Sequence, residues 1–148
     1  IYLSKYDRKK FDAPSVAVDL LIFNQDCSKI LLINRADHPF VNKLALPGGF
    51  YIPSDQTIEE AASRELKEET SVSLKITNKN LVKITSTKNR DPRGWVISIA
   101  YKVVVNENDV KPIANSDALY ANWVDVNSIK EDNMAFDHFE ILNYSLNN

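Results

Sequence analysis

The chain has 148 residues, 44% hydrophobic and 26% charged, which fits one globular domain over residues 1–148, able to bury a core without disulfide or metal staples. Eighteen basic against 20 acidic residues leave a net charge of −2, so no bulk attraction to nucleic acid or to a membrane surface is expected. There are three glycines, at 48, 49 and 94, where about 7% is ordinary; their spacing excludes both the G-x-G-x-x-G and the G-x-x-x-x-G-K-[ST] phosphate loops.

The opening residues do not form a signal peptide, and no apolar run approaches the ~18 residues of a membrane span. The chain begins at Ile1, not Met, and is expected to be a piece of a longer protein. Val16–Phe23 and Lys29–Asn34 predict two strands, joined as an antiparallel hairpin by the turn-rich Asn24–Ser28. Cys27, in that turn, is the single cysteine; it can form no internal disulfide, and a reducing, cytoplasmic compartment is expected. Pro39, Pro47 and Pro53 punctuate an irregular stretch that holds Gly48 and Gly49. A helix over Ile58–Thr70 follows, opened by a Thr57/Glu60 capping box. Leu74–Ile76, Leu81–Ser86, Trp95–Val105 and Tyr120–Val126 predict further strands, with Gly94 easing the tight connection before the third. Phe136–Leu146 predicts a closing helix. Helices set among hairpin-connected strands give an α/β (α+β) fold with a mixed sheet covered by helices.

The first long helix carries carboxylates on an unexpected face. With Glu65 at zero and about 100° per residue, Ile58, Ala61, Ala62 and Leu66 form the apolar stripe, and Glu69 and Glu68 fall at about 40° and −60°. Glu59, Ser63 and Lys67 take the opposite, solvated side. A Glu65/Glu69 pair at i,i+4 costs about 0.2–0.5 kcal/mol on an exposed helix, and more where burial strips away water. A hard divalent cation, Mg²⁺ or Mn²⁺, would reverse the sign, with Arg64 placed to pair with Glu68. A solvated acidic helix remains the alternative on these grounds.

Gly49 through Val72, with its Arg64-Glu65-Leu66-Lys67-Glu68-Glu69-Thr70 run and the preceding Leu46-Pro47-Gly48, resembles the Nudix box, G-x5-E-x7-R-E-U-x-E-E-x-G-U with U aliphatic. Pro39-Phe40, Arg90-Asp91-Pro92-Arg93-Gly94, Asp117-Ala118 with Trp123, and Phe136-Asp137-His138 extend the likeness to ADP-ribose pyrophosphatases and the related Nudix transcriptional regulators. The resemblance implies a Nudix fold, a mixed sheet between helices (α/β/α) with the box as a loop–helix–loop. It also implies Mg²⁺-dependent hydrolysis of a nucleoside diphosphate derivative, and a homodimer. Carried over, the Gly48 carbonyl, Glu65, Glu68 and Glu69 would be metal ligands. Glu65, Glu68 and Arg64 would form the catalytic group, Glu68 activating water and Arg64 orienting the glutamates.

Three departures accompany the likeness. The interval from Gly49 to the first box glutamate reads one residue long, with Ser54 as the insertion. Gln56 then stands in place of that glutamate, beside Asp55. Ser71 replaces the last glycine. The two substitutions are expected to lower activity. Phe50 is a candidate to stack on an adenine or ribose, and Arg90 and Arg93 to bind a diphosphate. Asp137 and His138 are read as helix-start structure, with Asp137 capping. Asp19, inside an apolar strand, needs a partner that the sequence does not name. Glu107, Asp109 and Asp117 are candidates for a base supplied from outside the box. Two functions compete: a pyrophosphatase releasing AMP and a sugar phosphate from ADP-ribose or a relative, and a ligand-sensing domain of a transcriptional regulator.

Overall fold

In the computed structural model, which describes residues 1–115 and 118–148, the apolar run beginning at Val16 lies at the centre of the sheet. It forms β1 (Ser15–Phe23), whose last six residues are all buried. Burial on both faces explains why the run lacks the usual polar alternation. Val18, Leu20 and Ile22 pack with Ala61, Ala62 and Leu66 of α2 (Ile58–Thr70). Leu21 and Phe23 point the other way, packing with Ile141 and Leu142 of α3 (His138–Leu146). The two-residue period of a strand thus assigns one helix to each face.

β2 (Lys29–Arg35) runs antiparallel to β1, and β6 (Val96–Val104) lies parallel on its other side. β3 (Leu44–Ala45) and β7 (Ala118–Asp125) both pair with β2, β4 (Gly48–Phe50) pairs with β1, and β5 (Leu81–Thr85) pairs with β6. The result is a seven-stranded mixed sheet between helices, the α/β/α arrangement expected. A four-residue helix, α1 (Tyr2–Lys5), precedes it and buries nothing. No helix among the described residues is long and apolar enough to cross a membrane.

α2 begins and ends where the sequence places it. The Thr57 hydroxyl accepts from the Glu60 amide at 3.1 Å, but the Glu60 carboxylate reaches past Thr57 to the Gln56 amide at 3.4 Å. At the other end Ser71 takes the left-handed conformation usually given to glycine, φ 64°. Its amide donates to the Lys67 carbonyl at 2.9 Å and its hydroxyl to the Ile113 carbonyl at 3.2 Å. Helix termination therefore survives the loss of glycine, with the hydroxyl supplying a bond that glycine lacks.

Three expectations are corrected. Leu74–Ile76 is not a strand: Ile76 is buried in the core and donates its amide to the Ser63 hydroxyl instead of a ladder partner. Phe136 is outside α3 because its φ of 50° is incompatible with a right-handed helix. Glu59 is not simply solvated, since the Tyr101 hydroxyl donates to its carboxylate.

Gly48 and Gly49 are required by contact. On β4, Gly48 stands opposite Asp19, and a Cβ there would overlap the Val18 carbonyl oxygen. At Gly49 a Cβ would fall on the Glu65 carboxylate, the mobile end of a side chain. Gly48→Ala should accordingly cost about 1–3 kcal/mol in urea unfolding, by overpacking against backbone, and Gly49→Ala distinctly less.

Candidate active site

Arg64, at the middle of α2, is held from several directions. Its Nε and one terminal nitrogen donate to the two oxygens of Asp55 at 2.8 and 2.9 Å. The other terminal nitrogen donates to Glu65 at 2.8 Å and to Glu68 at 3.2 Å. The Phe50 carbonyl accepts a further bond at 3.0 Å. The Asp55 bonds come first among the causes that raise the Arg64 pKa above its ordinary value, and those same bonds hold the Asp55 carboxyl below its own. Arg64 thus fixes Glu65 and Glu68 in orientation, and Asp55 fixes Arg64.

Asp55 is buried and Gln56 exposed, which revises the sequence alignment. From Gly49 the x5 interval ends on Asp55, so an acid is retained there. The extra residue lies between Asp55 and Arg64, not at Ser54.

Glu69 sits deeper than Glu65 and Glu68. One of its oxygens accepts from the Gly48 amide at 2.7 Å. Burial, then the neighbouring Glu65 and Asp19 charges, push its carboxyl up to about 8 against the pull of the Gly48 amide and Arg35. Burial also raises Glu65, with Arg64 opposing. The cleft therefore concentrates hard oxygen donors whose ionised forms are poorly compensated, the chemistry that suits a divalent cation such as Mg²⁺ or Mn²⁺. Among the described residues no three His, Cys, Asp or Glu side chains are gathered into a ready cage. Mg²⁺ does not need one, because one or two carboxylates with water and substrate phosphates suffice.

These groups line a cavity of about 470 Å³ whose wall also includes Phe50, Arg90, Arg93 and Phe136. Arg93 stacks over the Phe50 ring at 4.9 Å and the Phe136 ring at 5.3 Å, and its guanidinium pairs with Asp91 at 2.8 Å. Arg90 differs from it. Its side chain is only 5% exposed and is clasped by both oxygens of Asp137, at 2.8 and 2.5 Å. Asp137 precedes α3 but caps nothing with its side chain, so its expected capping role is replaced by the pairing with Arg90.

The partners of Asp19 also become visible. Ser98 donates its hydroxyl to one carboxylate oxygen, and the His138 Nε2 lies 3.2 Å from the other. The His138 Nδ1 accepts from the Leu46 amide at 3.1 Å, which leaves the ring proton on Nε2, facing Asp19. Burial alone would raise the Asp19 carboxyl; His138, Ser98 and Arg90 outweigh it and hold it low.

The structure therefore brings Gly48, Phe50, Arg64, Glu65, Glu68, Glu69, Arg90 and Arg93 to one cavity. Sequence reasoning missed Asp55 as the anchor of Arg64, for which the Gly49-x5 spacing was an available signal. It also missed Arg35 as a wall residue, which nothing in its local sequence marks, and Phe136, whose Phe-Asp-His element signalled the likeness but not a place in the wall. Of the outside acids, Glu107 is occupied by Lys29 at 3.2 Å, and neither it nor Asp109 lines the cavity. Asp117 lies outside the described residues.

The profile of the NUDIX domain matches residues 13–144. The chain is 42% identical over 143 residues to an ADP-ribose pyrophosphatase of Methanocaldococcus jannaschii, covering 95% of this chain and 79% of the relative. It is 32% identical over 147 residues to the ADPR responsive transcriptional repressor NtrR of Acinetobacter baylyi, covering 95% of this chain but only 56% of the repressor. Among solved structures, the NUDIX domain of Shewanella oneidensis NrtR, complexed with ADP ribose, superposes with a TM-score of 0.87 at 28% identity, covering 99% of this chain and 95% of that one. With a fold, an arginine-centred carboxylate cluster and a profile match that all agree, this chain belongs to the NUDIX domain family.

Proposed function

We propose that this domain hydrolyses ADP-ribose or a close nucleoside diphosphate relative, adding one water across the P–O–P link to give AMP and a sugar phosphate. The observation that carries this is the Arg64-organised set of Glu65, Glu68 and Glu69 around Gly48 and Gly49, opening on one cavity. The 42% identity to an ADP-ribose pyrophosphatase supports the substrate. A Mg²⁺ or Mn²⁺ ion would be held by Glu65, Glu68, Glu69 and the Gly48 carbonyl, and when bound would acidify water and neutralise charge on the phosphates.

The chain's own residues do the positioning. Arg64 holds Glu65 and Glu68 in fixed orientation, and Phe50, beneath Arg93, offers a face for a base or a ribose. Arg93, 43% exposed, is the more accessible of the two sequence-predicted arginines, while Arg90 stiffens the wall through Asp137. Glu68, 48% exposed, is placed to meet water. We further assign the protein to the cytoplasm as a homodimer, an assembly suggested by the family resemblance.

A second reading has its own support: the likeness to NtrR and to the NrtR domain complexed with ADP ribose favours a ligand sensor in a longer regulator. Incubation with ADP-ribose and Mg²⁺ separates the two. The enzyme reading expects AMP, with turnover falling at least 10- to 100-fold in Glu68→Gln and Glu69→Gln. Saturable ADP-ribose binding without AMP release would establish the sensor.

Asp55→Asn, by loosening Arg64, should lower kcat about 10- to 100-fold, as loss of outer-shell partners does. Gln56→Glu should leave kcat within about twofold, since the exposed side chain is not the one that meets Arg64. Activity close to wild type in Asp55→Asn would contradict the assigned anchor.

The pH dependence of stability follows from Glu69. Its folded pKa of about 8 lies above the ordinary 4.5, so between those values the native state retains a proton that the unfolded chain has released. Stability contributed by this group is complete below about pH 4.5 and is lost as pH rises toward 8. Without metal, the melting temperature should fall over this window, and Glu69→Gln should flatten the decline. Mg²⁺ or Mn²⁺ should raise the melting temperature more at pH 8 than at pH 5.5.

A further inference from the structure

His138 is the first residue of α3, but its ring is buried and engaged by two other elements. Nδ1 accepts from the Leu46 amide at 3.1 Å, and Nε2 lies 3.2 Å from Asp19 Oδ1. Both ring nitrogens of a neutral imidazole are thus occupied, in one fixed tautomer. Asp19 belongs to β1 and takes a further bond from the Ser98 hydroxyl. Leu46 stands two residues before Gly48 and is buried. An amide buried without an acceptor is costly, so the imidazole is what allows that peptide to lie as it does. Pro47 follows, and its ring stiffens the link from Leu46 to Gly48 by fixing one backbone torsion.

Beside Gly48, the β1–β4 ladder runs from the Leu20 amide to the Pro47 carbonyl and from the Tyr51 amide to the Val16 carbonyl. Hydrogen-bonded and non-hydrogen-bonded pairs alternate along an antiparallel ladder. In the intervening Asp19/Gly48 pair the backbone groups therefore turn away from each other. The Gly48 amide reaches the Glu69 carboxylate at 2.7 Å, and its carbonyl shares that edge. Glycine has the freest backbone of any residue, so a glycine carbonyl turned off the ladder is held only as firmly as the peptides flanking it. Downstream, β4 holds them. Upstream, the Leu20 amide holds the Pro47 carbonyl and His138 holds the Leu46 amide. The Asp19 oxygen that meets His138 also bounds Gly48, where a Cβ would come within 2.9 Å of it.

We infer that His138 is a positioning residue for the divalent cation of the acidic cluster: by anchoring the Leu46 amide, its Nδ1 keeps the Gly48 carbonyl on the Glu69 edge. This rests on the proposed reading that the Gly48 carbonyl and the α2 glutamates hold Mg²⁺ or Mn²⁺. It gives the closing helix a part in the metal site although α3 supplies no ligand to it.

The test is Mn²⁺ binding to the substrate-free protein, followed by the electron paramagnetic resonance signal of the free ion, in wild type, His138→Asn and His138→Gln. His138→Asn sets an amide oxygen near the place of Nδ1 and keeps an acceptor for Leu46. His138→Gln sets an amide NH₂ near the place of Nε2, keeping a donor for Asp19 and losing the Leu46 acceptor. His138→Gln should raise the Mn²⁺ Kd about 10- to 100-fold, as loss of outer-shell partners does, and His138→Asn should stay near wild type. Melting curves check folding. If His138→Gln does not fold, Mg²⁺ titrated into ¹⁵N-labelled wild type decides: the Leu46 amide and His138 Nδ1 resonances should move together, and resonances that stay fixed at saturation overturn the coupling. Unchanged Mn²⁺ affinity in folded His138→Gln, or an equal loss in His138→Asn, overturns the positioning role and leaves the metal site standing. A wild type that binds no Mn²⁺ overturns the metal reading and the positioning role with it.

Discussion

One buried contact organises the site: the two-pronged bond between Arg64 and Asp55. An arginine on a helix surface has five donors and many rotamers, and left alone it would settle nothing. Asp55 removes that freedom by taking the Nε edge at 2.8 Å and one terminal nitrogen at 2.9 Å. The remaining donors then point at Glu65, Glu68 and the Phe50 carbonyl. The aspartate lies in the loop before α2, the acceptors on α2 and β4, so a single side chain ties loop, helix and strand into one unit. Such a hub is electrostatically sensible only while its carboxylates outnumber it, which is the condition that makes a cation welcome.

The fold supplies the remaining constraint by bringing backbones unusually close. β4 is only three residues long, yet it carries Gly48 against β1 and Gly49 against the Glu65 carboxylate. Glu69 can be deeply placed because the Gly48 amide, left over from the short ladder, turns toward it. On the opposite face of β1, Asp19 and His138 lock the preceding Leu46. The glycine pair is thus braced from both faces of the sheet, by Glu69 on one side and by the Asp19–His138 contact on the other.

Much of this was legible in the chain itself. The α2 boundaries follow from Thr57 and the apolar spacing of Ile58, Ala61, Ala62 and Leu66, and the misplaced carboxylates stood out because helical periodicity is strict. The strand run from Val16 was legible for the same reason. What escaped was nonlocal. Asp55 and Arg64 are separated by a loop whose path no periodicity encodes, so the acid at the right interval was passed over for its neighbour Gln56. Asp137 looked like a cap because it precedes a helix, whereas a distant arginine claimed it. Leu74–Ile76 has strand composition, but the core, through Ser63 and the packing of Ile76, took those residues without giving them a ladder. Arg35 ends a strand like many others, and its contact with the Phe136 ring joins residues a hundred positions apart.

Two amides in the glycine-bearing segment donate to side chains instead of to sheet neighbours: Leu46 to His138 and Gly48 to Glu69. In a sheet, amide protons ordinarily exchange with solvent only when strands part. Here the acceptors are an imidazole and a carboxylate, both lining the cavity. The backbone of the glycine-bearing segment is therefore tied at two points to side chains that line the cleft, one on each of the two long helices.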